Sequence, residues 1–197
     1  ARRVKRLLPA SLLVLLAVAG AVALIGPRSI WVDTGRQIVA STLYVQNWQL
    51  AADAVDYLAT DNAPTAVQHF WSLSVEEQFY IFWPILIGLL VAYPLLKKKK
   101  NLYVGIGLIA GASLAYSIYL TANDPSAAYF VTTTRVWELA AGALAAVLVF
   151  NRGLLRGTAG AISSWVGLAG ILAAMLLIDS AWPFPGATAM WPVLATI

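Results

Sequence analysis

Cysteine is absent from the 197 residues, and histidine occurs once. The first absence excludes disulfides and thiol catalysis; the second leaves no His/Cys cluster to hold zinc or another metal. Charge is scarce too. Charged residues make up 11% of the chain against 60% hydrophobic, where a soluble domain carries roughly a quarter charged. So few charges cannot cover the surface of a water-soluble fold. No internal repeat, low-complexity tract or soluble domain interrupts the pattern. The net charge of +4 does not imply nucleic acid, because the basic residues cluster at the ends of apolar runs rather than along one face.

What remains is a series of apolar runs near bilayer length. The predicted fold class is all-α, a polytopic transmembrane helix bundle of about five complete spans plus the start of a sixth. Leu7 to Ile25, at about 1.5 Å per residue, reaches about 28 Å. The next span runs from Val75 to Leu96 with a kink at Pro84. Leu102 to Leu120 follows, with Gly105, Gly107 and Gly111 placed for close helix packing. Tyr129–Phe150 and Ala161–Ile178 complete the set, and Ala189 onward begins another. Between the first two, Gln37 to Leu50 is half polar and predicts a helix at the membrane interface. Asp61-Asn62-Ala63-Pro64 predicts a turn. The basic ends (residues 1–6, Lys97–Lys100, Arg152 with Arg156) mark the cytoplasmic side of a cell membrane. The chain opens without methionine and stops while still apolar, so residues 1–197 are expected to be an internal part of one larger membrane domain. A signal peptide ending near Ala21-Val22-Ala23 is the alternative for the first run, which is longer than a signal core and is followed by further spans.

Polar chemistry concentrates in two places. His69 to Tyr80, HFWSLSVEEQFY, holds the lone histidine, adjacent carboxylates Glu76 and Glu77, two serines and a glutamine. Ser74 followed by Glu77 fits a capping box, which accounts for one glutamate and leaves Glu76 unexplained. The second place is Thr132 to Glu138, where Arg135 and Glu138 are spaced for an ion pair within one helix. Such a pair is either structural or, being costly among lipid-facing helices, kept for function. Near the start, Arg3 and Arg6 share a helix face. They form either an ordinary cytoplasmic anchor or a two-pronged clamp for phosphate.

HFWSLSVEEQFYIFWP resembles the signature of the acyltransferase-3 family, bacterial multi-pass membrane enzymes that acylate cell-surface molecules. Arg3-x-x-Arg6 before Leu-Leu-Pro9 is similar to the family's RxxR motif, and TTTRVWELAAGAL to a further family stretch. The resemblance implies an acyltransferase moving an acyl group, acetyl above all, from acyl-coenzyme A to a hydroxyl of a carbohydrate or glycolipid. Arg3 and Arg6 would hold the donor. Glu76 or Glu77 would orient a base, His69 would serve as base or oxyanion donor, and Arg135, paired with Glu138, would stabilise negative charge. The family's principal catalytic histidine lies upstream of the RxxR motif. His69 is therefore expected to be auxiliary, and this stretch alone inactive. The competing class is a proton- or ion-coupled transporter using Arg135, Glu138, Glu76 and His69 as a relay. It needs neither RxxR nor the aromatic signature.

Overall fold

The computed structural model describes residues 2–56, 65–92, 99–152, 157–179 and 181–197; the side chains of 2–4, 54–56, 90–91, 99–102 and 147–152 are not described. The predicted turn at Asp61–Pro64, the helix end at Leu96, Lys97, Lys98 and Arg156 lie outside the described residues. All regular structure among the described residues is helical, and the chain divides into two compact units, Ala1–Ile81 and Phe82–Ile197.

The first unit begins with α1, Arg2–Ile25, whose segment Lys5–Ile25 is long and apolar enough to cross a membrane. The helix extends back through the basic run, so Arg3 and Arg6 both lie on it. It ends where Gly26 closes the last turn on Val22 O at 3.0 Å; a Cβ at Gly26 would stand 2.6 Å from that oxygen. A 3₁₀ turn, Arg28–Ile30, leads into α2, Trp31–Thr42, and then α3, Gln46–Asp56.

The sequence predicts one helix over Gln37–Leu50, but the structure breaks it into a hairpin. Ser41 and Thr42 turn their hydroxyls back onto Gln37 O and Ile38 O. Tyr44 then takes a left-handed φ of 55°. Tyr44 N–H bonds Ser41 O at 3.1 Å and Val45 N–H bonds Ala40 O at 2.9 Å, the Schellman pattern that stops a helix. Glycine usually fills this position; here the strain of a bulky residue is offset by contacts that Tyr44 makes elsewhere. Leu15, Val67 and Phe70 form a small apolar core, flanked by Val18, Ile38 and Leu73.

The signature helix α4 covers Phe70–Ala92 and runs through Pro84. It starts a full turn earlier than the sequence predicts. Ser74 is therefore an interior residue, buried, its hydroxyl donating to Phe70 O at 3.1 Å. It caps nothing, and the capping-box account of Glu77 falls with it.

In the second unit α5, Lys99–Asn123, packs against α7, Val136–Arg152. Ser113, Ser117 and Thr121 repeat every fourth residue on α5 and are all buried. Ser113 Oγ donates to Thr133 O at 2.6 Å and accepts from Trp137 N–H at 3.1 Å, tying α5 to the start of α7. The span predicted over Tyr129–Phe150 is not one helix. A short α6, Pro125–Phe130, is capped by Asp124, whose carboxylate accepts from Ala127 N–H at 2.9 Å. Val131 is extended, and Thr132–Thr134 form a 3₁₀ turn before α7 begins. Thr134 Oγ1 lies 2.6 Å from Val131 O and 2.8 Å from Ala128 O, which holds the break. Among the residues whose side chains are described, Val136–Ala146 is the apolar part of α7.

Helix α8, Thr158–Leu177, meets α9, Met190–Thr196. A Cβ at Gly167 would stand 2.5 Å from Ala195 O, so only glycine permits this approach. Gly107 and Gly111, expected to serve close packing, face open space instead. Lys5–Ile25, Tyr103–Asn123 and Thr158–Leu177 are the described helices long and apolar enough to cross a bilayer. Among the described residues the chain is all-α, with helices of membrane-spanning length in both units.

Candidate functional site

In the first unit, His69 ends the turn that precedes α4. Its side chain is exposed, with its ring 5.0 Å from that of Phe70. Glu76 and Glu77 lie one and a half to two turns into α4, both half-buried. One carboxylate oxygen of Glu77, Oε1, is sealed from solvent without a hydrogen-bond partner. Burial of that kind is costly for a carboxylate and calls for a functional explanation.

Next to the two acids, Gln78 is a junction. Its Nε2 donates to Tyr44 O at 2.7 Å and to Asn47 Oδ1 at 2.9 Å, while its Oε1 accepts from Trp48 Nε1 at 3.1 Å. One amide thus joins α4 to the strained turn and to the start of α3. A second junction lies behind it. Gln46 and Asn47 are fully buried; Gln46 Nε2 donates to Val67 O at 2.8 Å and Gln37 Oε1 at 3.2 Å, and Thr65 Oγ1 also donates to Gln37 Oε1. Tyr44 reaches α1 as well, its hydroxyl 3.3 Å from Ser11 Oγ. The acidic turn is therefore carried on a helix pinned by amides.

At the far side of this unit's first helix, Arg6 is exposed on α1, three positions from Arg3. An apolar cleft of about 130 Å³, lined by Ala19, Val22, Ala23, Trp31, Thr34, Gly35 and Ile38, opens where α1 meets α2. It holds no ionisable group and contributes no chemistry to the acids.

In the second unit, Arg135 and Glu138 form the ion pair that their spacing predicts, Nη1 to Oε1 at 3.0 Å. Arg135 Nη2 also donates to Tyr129 O at 3.2 Å. The guanidinium carbon lies 5.2 Å from the centre of the Tyr129 ring and 5.4 Å from that of Phe184. Close by in sequence, Trp137 is 4% exposed and its indole N–H is buried without a partner. Among the described residues, no three His, Asp or Glu side chains converge as a metal site would need.

Each sequence-predicted pair is thus found in one unit: Glu76 with Glu77 behind His69 in the first, Arg135 with Glu138 in the second. Sequence reasoning left out Gln78, although it stands in the signature itself. It also left out Tyr129 and Phe184 as partners of Arg135. Gln78 was detectable as one more buried-helix polar group; Phe184 was not, since no local spacing links it to Arg135.

Three described helices long and apolar enough to cross a membrane, in a chain that also carries one sealed carboxylate oxygen, amide junctions and a held guanidinium, mark a membrane protein with polar sites. The chain belongs to the acyltransferase-3 family: the family's acyltransferase domain matches it over residues 1–197. It is similar to the peptidoglycan O-acetyltransferase OatA of Listeria monocytogenes, 34% identical over 155 residues, 77% of this chain and 24% of that protein. YrhL of Bacillus subtilis, provisionally named a peptidoglycan O-acetyltransferase, is 33% identical over 154 residues, with 77% and 24% covered. A Staphylococcus aureus protein, provisionally named an O-acetyltransferase, is 37% identical over 148 residues, with 75% and 24% covered. The chain therefore spans about a quarter of the length of these curated relatives. No solved structure matches it.

Proposed function

We propose that this chain is part of a membrane acyltransferase that moves an acetyl group from acyl-coenzyme A to a hydroxyl of a cell-surface carbohydrate, with peptidoglycan the foremost acceptor. The observation that carries this reading is the family match along the whole chain. The names of the relatives support both the acetyl group and the carbohydrate. In the net reaction the acceptor oxygen forms an ester bond as the carbon–sulfur bond breaks. A base takes the hydroxyl proton, and coenzyme A leaves as its thiol.

The roles follow from what each side chain offers. Arg3 and Arg6 bind the donor's phosphates from the cytoplasmic side, which the basic ends at residues 1–6, 97–100 and 152–156 mark by the positive-inside rule. The exposure of Arg6 on α1 supports this. Glu76 and Glu77 orient the group that handles the acceptor proton, and the sealed Oε1 of Glu77 is the feature in their favour. His69 assists as a proton carrier or oxyanion donor. Arg135, held by Glu138, faces negative charge developing on the acyl group.

The test uses the full-length protein and radiolabelled acetyl-coenzyme A. Replacing Arg3→Ala together with Arg6→Ala is expected to abolish donor binding at concentrations that saturate the wild type. Unchanged binding in the double variant refutes the clamp, and absence of label from isolated cell-wall carbohydrate refutes the acceptor.

A further inference from the structure

Arg135 is tethered along one edge by its own neighbourhood. Glu138 takes Nη1 and Tyr129 O takes Nη2, and both belong to the same short stretch of chain. Phe184 is different, because it reaches the guanidinium from a turn far downstream, its ring centre 5.4 Å from the guanidinium carbon. The Tyr129 and Phe184 ring centres are 6.1 Å apart. With 5.2 Å and 5.4 Å to the guanidinium carbon, the three points make a nearly equilateral triangle. The rings therefore form a corner into which the cation leans, rather than a sandwich around it.

The turn bearing Phe184 is itself seated firmly. Gly186 N–H donates to Thr121 Oγ1 at 3.0 Å. Gly186 has a φ of +33°, and a Cβ there would come within 3.2 Å of the Thr121 side chain. Ala189 N–H bonds Pro185 O at 2.8 Å, and Pro185, Gly186 and Ala189 are buried. Phe184 is partly exposed, and its ring lies against Tyr129 and Arg135. An aromatic face attracts a guanidinium without adding a full negative charge. Glu138 already supplies one negative charge to Arg135; a second carboxylate in place of Phe184 would make the group net negative, whereas two rings fix the guanidinium without changing that balance.

We propose that Phe184 is a positioning residue for acyl transfer: with Tyr129 it sets the place and orientation of the Arg135 guanidinium without adding negative charge to its pair with Glu138. The proposal rests on the reading that Arg135 faces negative charge on the acyl group in transfer.

The experiment measures acetyl transfer from labelled acetyl-coenzyme A to isolated peptidoglycan by the full-length protein, with detergent monodispersity as the check on folding. Phe184→Leu is expected to lower kcat about fivefold to thirtyfold, the worth of a guanidinium–ring contact, with KM for acetyl-coenzyme A within about twofold of wild type. Phe184→Trp is expected to restore most of the loss. In an Arg135→Lys background, already impaired, Phe184→Leu is expected to change kcat by less than about twofold. If the leucine variant aggregates, Phe184→Met supplies the same comparison, with bulk but no aromatic face. Wild-type kcat in Phe184→Leu beside an impaired Arg135→Lys overturns the role of Phe184 and leaves that of Arg135 standing. Equal fold losses from Phe184→Leu in both backgrounds overturn it too, because the ring then supports only the fold. Full activity in Arg135→Lys sinks both readings.

Discussion

Glu77 and Gln78 are neighbours on one helix turn with opposite circumstances. Gln78 is hydrogen-bonded at both its ends, whereas Glu77 keeps an oxygen sealed and unbonded. An unsatisfied buried polar atom costs about 1–3 kcal/mol, and more when charged, so the sealed oxygen of Glu77 works against stability. Glu77→Gln is accordingly expected to lower turnover at least about tenfold while the thermal midpoint stays level or rises. A fallen midpoint with full turnover would mark Glu77 as structural. At this scale the sequence singled out Glu77 but gave it the wrong neighbour. The capping box depends on where the helix begins, and Phe70, Trp71, Ser72 and Leu73 carry α4 back beyond Ser74.

At the scale of elements, the α2–α3 hairpin and the first turns of α4 are held together by amides more than by apolar burial. The apolar core of this unit centres on Leu15, Val67 and Phe70, while Gln46, Asn47 and Ser41 are fully buried or nearly so. Amides fix register because each bond has a required direction and length. Gln78→Leu keeps the bulk but strips partners from Tyr44 O, Asn47 and Trp48. It is expected to cost about 2 kcal/mol or more, read as an earlier thermal transition in detergent, whereas Tyr44→Phe, which removes only the 3.3 Å contact with Ser11, is expected to change little. Equal stability of Gln78→Leu and wild type would show that the junction holds nothing. Helix existence was legible here from polarity and period. The break at Tyr44 was not, because the sequence offers neither glycine nor proline at that point, and the turn is held by a bond from Gln78, distant in sequence.

Across the whole molecule, the absence of cysteine gives a direct route to topology. With any cysteine elsewhere in the full-length protein removed, a single cysteine replacing Lys98 is expected to react with a membrane-impermeant maleimide only after the cytoplasmic face is opened. One replacing Trp182 is expected to react from outside in intact cells. The reverse pattern would invert the proposed orientation and separate Arg3 and Arg6 from any cytoplasmic donor. By itself the sequence determined that this is an all-α membrane protein of the acyltransferase-3 family, since 60% hydrophobic residues in bilayer-length runs permit little else and the HFWSLSVEEQFY stretch is continuous along the chain. It also singled out the Arg135–Glu138 pair from their separation, although Arg135 stands just before α7 rather than within one helix with Glu138. Only the tertiary structure decided that Tyr129–Phe150 breaks at Val131, that Gly167 rather than Gly107 or Gly111 admits a neighbour, and that Phe184 meets Arg135. These are contacts between distant stretches, and no periodicity along a chain encodes which distant residue will arrive at a given face.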